Sequence, residues 1–230
     1  MIKCRFIDYL PADTALLLRS LKIHIPGLVA KAKADLDAGV QHERPTVFVS
    51  VLESDLKSTE KAVDRVAEEA VTTVNAGTET TSWALSVITY HLLDKPELLA
   101  KLRKELEEVV EDPVKLPLWT VLEKLPYLSA VILEGLRLSY GVSGRTAREP
   151  MQEDLVYRGE FNKRPVELVL PRGYAIGMSA AITHHDESFF PDSHAFNPER
   201  WLDENNERRR DLERALLAFS KGSRACLGKK

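Results

Sequence analysis

Residues 58 to 93 read STEKAVDRVAEEAVTTVNAGTETTSWALSVITYHLL, a run without proline in which apolar residues recur at three- and four-residue spacing after a capping-type start. That pattern predicts one unusually long helix ending near Leu93 and, with it, a mainly α fold. In its middle stands Ala76-Gly77-Thr78-Glu79-Thr80-Thr81. A glycine and three threonines there lower helix propensity by about 1 to 2 kcal/mol, a penalty that a purely structural helix has no reason to carry. Thr80 lies four residues after Ala76, so its hydroxyl can bond the Ala76 carbonyl and open the backbone ladder, while Gly77 leaves room for a small molecule. The resulting groove sets a carboxylate beside a hydroxyl, which suits relaying protons to a ligand. The plainer alternative is a helix kink packed against a partner.

Before this helix, ALLLRSLKI and LVAKAKADLDAGV predict two modest helices broken by Pro11, the Pro26-Gly27 pair and Gly39. After it, Pro96 opens ELLAKLRKELEEVV, a surface helix with Glu97/Lys101, Lys101/Glu105 and Lys104/Glu108 at i,i+4. Pro113 and Pro117 interrupt the pattern before short helical turns around LWTVLEKL. Pro126 then precedes a third strong amphipathic helix, about 127 to 139. From 153 to 183 the period changes to alternation, predicting a small antiparallel sheet of two to four strands with FNKRPVE as a loop between them. The charged run Asp203 to Arg214 reads as a solvated face. The whole reads as a single partial domain over 1 to 230, mainly α with a small antiparallel β-sheet.

Composition limits the partners. A 230-residue chain with 44% hydrophobic and 29% charged residues has ordinary globular composition and room for a sizeable core. A net charge of -3 gives no bulk attraction to nucleic acid. The two cysteines, Cys4 and Cys226, are too few for a secreted disulfide framework and make no zinc spacing. Apolar stretches end before bilayer length and MIKCRFIDYL lacks a signal-peptide pattern, so the chain reads as soluble.

Two further constellations carry chemistry. Glu134 and Arg137 sit three apart in EGLR. On spacing alone they read as a surface ion pair of a few tenths of a kcal/mol. Were the face buried, a bidentate pair would need a third partner and would act as a rigid clamp. The last segment, Phe219-x-x-Gly222-x-Arg224-x-Cys226-x-Gly228, places a cysteine where two glycines let the backbone turn and an arginine offsets negative charge. A lone cysteine is usually inert. Amides around such a turn, however, stabilise a thiolate, which serves as an iron ligand or a nucleophile. A nucleophile would want a positioned base, and no Cys-His pairing is assignable; His184 and His185 read as loop histidines.

In this order, AGTETT, EGLR, NPERW and FSKGSRACLG resemble the signature set of the cytochrome P-450 superfamily over about residues 60 to 230. Phrases such as LPYLSAVILEGLRLSYGVSGR look like filamentous-fungal members, with the trichodiene-oxygenase-like group the nearest in kind. The resemblance implies a haem b cofactor with Cys226 as the axial thiolate and metal ligand. It implies Phe219 shielding the haem near the sulfur, Gly222 and Gly228 permitting the loop, and Arg224 pairing with a propionate. Arg148 would be the second propionate contact, with Arg145 the alternative. Glu79 and Thr80 would be the catalytic acid-alcohol pair delivering protons toward dioxygen, with Ala76 and Gly77 flanking the oxygen site and Thr81 in support. Glu134, Arg137 and Arg200 would form a structural triad. His184 falls where members have HRD, so His185 replaces an arginine and a propionate contact there is doubtful. Val142 to Arg145, Val71 and Asn75 would face a lipophilic substrate such as a terpenoid.

The activity implied is a monooxygenase using dioxygen and electrons from NADPH through a cytochrome reductase, in full-length members at the cytosolic face of the endoplasmic reticulum membrane. Members of the family are longer, so the chain reads as a carboxy-terminal half, truncated at both ends and inactive alone. A haem-thiolate isomerase or dehydratase, which would have less need of Glu79 and Thr80, and a non-catalytic helical interaction domain remain the other classes.

Overall fold

The structure is a computed structural model that describes residues 9 to 40 and 45 to 229; Cys4 lies outside the described residues. Two compact units divide the chain, Met1–Glu79 and Thr80–Lys230.

In the first unit, α1 (Ala12–Arg19) runs through a π-helical segment, Ser20–His24, into α2 (Ile25–Asp37). The break expected at Pro26-Gly27 is therefore absent. Pro26 sits in the first turn of α2, directly after the widened π turn. There its missing N–H is no loss, and the looser register relieves the crowding its ring would impose on the preceding turn. The β-branched stretch Val47–Glu53 forms α3, with the Val49 N–H donating to the Thr46 hydroxyl at 3.4 Å. Its propensity is overridden by packing: Val49 is buried, and Phe48, Val51 and Leu52 lie against a core of Ile25, Val29, Val66, Ala67 and Ala70. The long helix, α4, spans Val63–Asp94. It starts five residues later than Ser58, because 58 to 61 form turns instead.

In the second unit the latter part of α4 is followed by α5 (Pro96–Glu107), α6 (Trp119–Leu122) and α7 (Pro126–Ser139). Two of the residues expected in i,i+4 pairs on α5, Lys101 and Glu105, take longer-range partners. Lys101 pairs with Glu199 and lies 4.4 Å from the Tyr127 ring centre. Glu105 accepts from the Tyr127 and Leu128 amides at 2.8 and 2.7 Å. Those amides are first-turn donors of α7 with no intrahelical acceptor, so the carboxylate caps the helix from a neighbour. The α7 core face includes Tyr127, Ala130 and Val131. They join Leu92, Leu102, Phe190, Phe196 and Trp201 in one cluster. At Gly135 a Cβ would come within 2.0 Å of Ile88 Cγ1, so only glycine lets α4 and α7 approach this closely. Trp83 Nε1 also donates to the Ser139 carbonyl, 3.1 Å away at the end of α7.

The strands form two separate two-stranded antiparallel sheets rather than one. Thr146–Arg148 (β1) pairs with Ile176–Met178 (β4), and Leu155–Phe161 (β2) pairs with Arg164–Leu170 (β3). The segment FNKRPVE is mostly strand: only Asn162 and Lys163 turn, with φ 51° and 60°. Two consecutive positive-φ residues give the turn whose twist matches a tight hairpin, so no longer loop is needed. Ala180–His184 (α8), a 3-10 turn at Pro198–Trp201 and Arg210–Glu213 (α9) follow the strands. Among the described residues no helix is long and apolar enough to cross a membrane.

Candidate functional site

Glu134 and Arg137 lie about one turn apart on α7, so both side chains leave the same helix face. That face is fully buried, and neither residue is a surface ion-pair member. Arg137 Nε donates to Glu134 Oε2 at 2.9 Å and Nη2 to Oε1 at 2.8 Å. Its remaining donors go to carbonyls: Nη1 to His184 (2.8 Å) and Ser193 (2.6 Å), Nη2 to Ala195 (3.1 Å). All five guanidinium donors are thereby engaged.

The carboxylate is equally occupied. Glu134 Oε1 also accepts from the Asn197 N–H at 2.9 Å and Arg200 Nε at 3.1 Å, and Oε2 accepts from Trp201 Nε1 at 2.8 Å. Burial works to raise the Glu134 pKa. The Arg137 hydrogen bonds and charge, with Asn197 and Arg200, outweigh it and hold the carboxyl below its ordinary value. Arg200 reaches onward to the carbonyls of Pro191 (2.7 Å) and Asp192 (3.2 Å). The sequence reasoning missed Asn197 and Trp201 as members of this group. The available signal was in NPERW itself: Asn197 caps its own 3-10 turn, accepting from the Glu199 N–H at 3.1 Å, which aims its backbone N–H at the carboxylate.

His184, read from sequence as a loop histidine, is fully buried at the end of α8. Its Nδ1 is 2.7 Å from the Arg137 carbonyl and its Nε2 is 2.8 Å from the Leu217 nitrogen. The Leu217 N–H can only donate, so Nε2 accepts, Nδ1–H donates, and the ring is neutral. Burial above all, with the charges of Arg137 and His185, pushes its pKa down to about 4. His185 Nε2 lies 2.6 Å from the Tyr140 hydroxyl, and its ring stacks on His194 at 4.1 Å between centres.

The terminal residues form one compact turn. Gly222–Arg224 makes a 3-10 turn, with Ser220 at φ 57° and Gly222 at φ 77°. The Cys226 N–H donates to the Phe219 carbonyl at 2.9 Å, and the Ser220 N–H to the Leu217 carbonyl at 2.8 Å. Phe219, Gly222, Arg224, Cys226 and Gly228 are thus gathered in one loop. The Cys226 thiol is free and exposed. A Cβ at Gly228 would sit 3.8 Å from the sulfur, so the glycine leaves that side of it open. Phe219 is half-buried, with Lys229 Nζ 6.0 Å from its ring centre.

The other named residues stand apart from this loop in sequence. Arg148, exposed on β1, donates from Nη1 to the Ala147 carbonyl at 3.1 Å. Arg145 lies over β4, where a Cβ at Gly177 would come within 2.8 Å of its Nε. Ala76 through Thr81 are consecutive and exposed on an unbroken α4, and a Cβ at Gly77 would meet nothing within 4 Å. Back-bonds of the kind considered for Thr80 are seen on α4 at Thr72, which donates to the Glu68 carbonyl at 3.2 Å, and at Thr73, which donates to that of Glu69 at 2.9 Å. Val71 and Asn75 are half-buried; Val142 to Arg145 are exposed.

The donor chemistry of the loop fits a thiolate-bound haem. Among the described residues no group of three His, Cys, Asp or Glu side chains could hold a metal ion. What the loop offers an iron in a macrocycle, which needs one soft ligand from the protein, is the accessible Cys226 sulfur. Arg224, Arg148 and Arg145 supply exposed guanidinium groups suited to carboxylates.

Comparisons with known proteins agree with this chemistry. The sequence model of the family described as cytochrome P-450 matches residues 15–230. The chain is 46% identical over 185 residues to cytochrome P-450 monooxygenase tpcC of Cochliobolus heterostrophus, covering 80% of the chain and 34% of that protein. It is 47% identical over 192 residues to monooxygenase ppzE of Metarhizium majus, covering 79% and 40%. To monooxygenase vrcB of Aspergillus aculeatus it is 36% identical over 239 residues, covering 96% and 43%. The chain thus spans well under two thirds of the length of these curated relatives.

Proposed function

The chain belongs to the cytochrome P-450 family, and from that premise we propose that it furnishes the thiolate side and the proton-delivery pair of a haem-dependent monooxygenase. The observation that carries the reading is the free, exposed Cys226 thiol in a glycine-opened turn closed by its own N–H. Cys226 would ligate the iron of haem b. Phe219 would pack beside the sulfur, and Arg224 and Arg148 would pair with the propionates, with Arg145 the alternative to Arg148. A thiolate-bound haem supplies the redox and dioxygen chemistry, the sulfur's electron donation favouring O–O cleavage.

Glu79 and Thr80, adjacent on α4, would hold and pass protons on the oxygen side, with Ala76 and Gly77 giving a small molecule room beside the helix. One atom of dioxygen ends in the product and the other in water, balanced by two protons and the two electrons of NADPH delivered through a reductase. The substrate class is lipophilic, a terpenoid or other secondary metabolite, and the full-length protein would work at the endoplasmic reticulum membrane. Because the chain covers 34% and 40% of two such monooxygenases, we assign no turnover to the 230 residues alone.

Haem titration of the full chain tests the assignment. The reduced carbon monoxide adduct is expected to show the strongly red-shifted Soret band of thiolate ligation, and Cys226→Ala to lose that band. An unshifted band in the parent chain, or a band indifferent to the substitution, would remove Cys226 as the ligand.

A further inference from the structure

The Cys226 turn makes few contacts of its own: Ser220 through Arg224 and Cys226 through Lys229 are exposed. Something must nonetheless set where the sulfur stands. The chain entering the turn meets the buried body at Leu217, whose N–H donates to His184 Nε2 at 2.8 Å and whose carbonyl receives the Ser220 N–H at 2.8 Å. One residue later, the Ala218 carbonyl passes so near Gly141 that a Cβ there would come within 2.2 Å of it. The two contacts fix the entry to the turn against the end of α8, at His184, and the residue pair just beyond α7, at Gly141.

We propose that His184 is a positioning residue for Cys226, tethering the entry of the thiolate turn to the Glu134/Arg137 group. Its ring bridges the Arg137 carbonyl and the Leu217 amide. Its own carbonyl accepts from Arg137 Nη1 at 2.8 Å, so the residue is held on the guanidinium side as well. Two residues beyond Leu217, the Phe219 carbonyl receives the Cys226 N–H at 2.9 Å. A continuous path of hydrogen bonds and short backbone links therefore runs from Glu134 through Arg137, His184 and Leu217 to the cysteine. Nothing in this path requires His184 to touch the cofactor or to change protonation state. The tether's significance for an iron ligand rests on the function proposed above, but the tether itself does not.

Two substitutions separate its halves. His184→Asn keeps a donor near the Nδ1 position but is too short to accept from Leu217. His184→Gln can place its Oε1 near the Nε2 position and keep that acceptor. Hydrogen exchange on the full 230-residue chain, without haem, reads the outcome residue by residue. In His184→Asn the amides of Leu217, Ser220 and Cys226 are expected to exchange about tenfold faster, the size of one lost hydrogen bond, while Val131 to Glu134 stay protected. His184→Gln is expected to restore most of the protection. After haem addition, the Asn variant should show a smaller thiolate fraction in its carbon monoxide spectrum, with Gln again intermediate or rescued.

Equal exchange in both variants and the parent, or acceleration spread equally through α7, would overturn the tether. So would a Leu217 amide with no protection in the parent chain. A parent chain that shows the exchange pattern but binds no haem would leave the tether standing and refute the haem assignment instead.

Discussion

Arg137 and His184 hold each other twice: Arg137 Nη1 donates to the His184 carbonyl at 2.8 Å, and His184 Nδ1–H donates to the Arg137 carbonyl at 2.7 Å. Each side chain reads the other's backbone, so the end of α7 and the end of α8 are fixed in mutual register. The Glu134 carboxylate completes the arrangement by taking two of the guanidinium bonds.

Arg137→Lys keeps the charge but replaces five fixed donors with three on a flexible stem. At least two buried carbonyl or carboxylate acceptors then lose their partner. The expected loss is about 3 to 5 kcal/mol, enough to leave the chain largely unfolded, read by urea denaturation followed by circular dichroism. A midpoint close to that of the parent would mean the network is not what holds these elements.

Acid should weaken the fold in a window set by His184. Its pKa falls from 6.5 to about 4 on folding, so the unfolded chain binds the proton first. The stability it contributes is full above about pH 6.5 and is lost as pH falls toward about 4. His91 and His185 are also lowered, chiefly by burial, and add to the same slope. The specific contribution is therefore the difference between the parent and His184→Gln across that window. Identical slopes would assign the effect to the other two histidines. Glu134 acts the same way lower down: its depressed pKa contributes stability above the ordinary carboxylate range that is lost as pH falls through its folded value.

How far the sequence reached can be judged residue by residue. The helices with long 3.6-residue periodicity were legible: α4, α5 and α7 differ from expectation only at their ends. Helix α3 was invisible because Val47, Val49 and Val51 carry β propensity, and the burial that overrides it is tertiary. Glu134 and Arg137 could be paired by spacing, yet whether their face was wet depended on Asn197 and Trp201, 63 and 67 residues beyond Glu134. The role of His184 depended on the Leu217 amide, a backbone group that no side-chain motif can announce. Exposed positions such as Glu79 and Arg148 carried their signal in residue type alone, and what the fold adds to them is chiefly their placement on α4 and β1.

Tyr127 carries a hydroxyl that is buried without a hydrogen-bond partner, and burial, with nearby carboxylates, pushes its pKa up to about 12. A buried unsatisfied polar group costs about 1 to 3 kcal/mol, whereas the ring itself packs in the core and under Lys101. Tyr127→Phe removes the penalty and keeps the ring. The thermal midpoint should stay level or rise; a clear fall would show that the hydroxyl has a partner in solution, such as an ordered water.

Two helical glycines should answer alanine with opposite signs, and the contrast tests why α4 carries the one it does. At Gly77 a Cβ meets nothing within 4 Å, so Gly77→Ala gains helix propensity with no clash and should raise stability by about 1 kcal/mol. At Gly135 the same Cβ would lie 2.0 Å from Ile88 Cγ1. Ile88 must move or change rotamer, and Gly135→Ala should lower stability by about 1 to 3 kcal/mol, less when Ile88 is also cut back to alanine. Urea midpoints of the two single variants and the Ile88 double decide it. A stabilising Gly77→Ala would show that folding does not need the glycine. The same substitution in a haem-loaded, full-length relative should then impair small-molecule binding on the α4 side, where the absent methyl leaves space. If Gly77→Ala instead destabilised the chain, the glycine would have a structural role, and its place beside Glu79 and Thr80 would no longer support an oxygen-side groove.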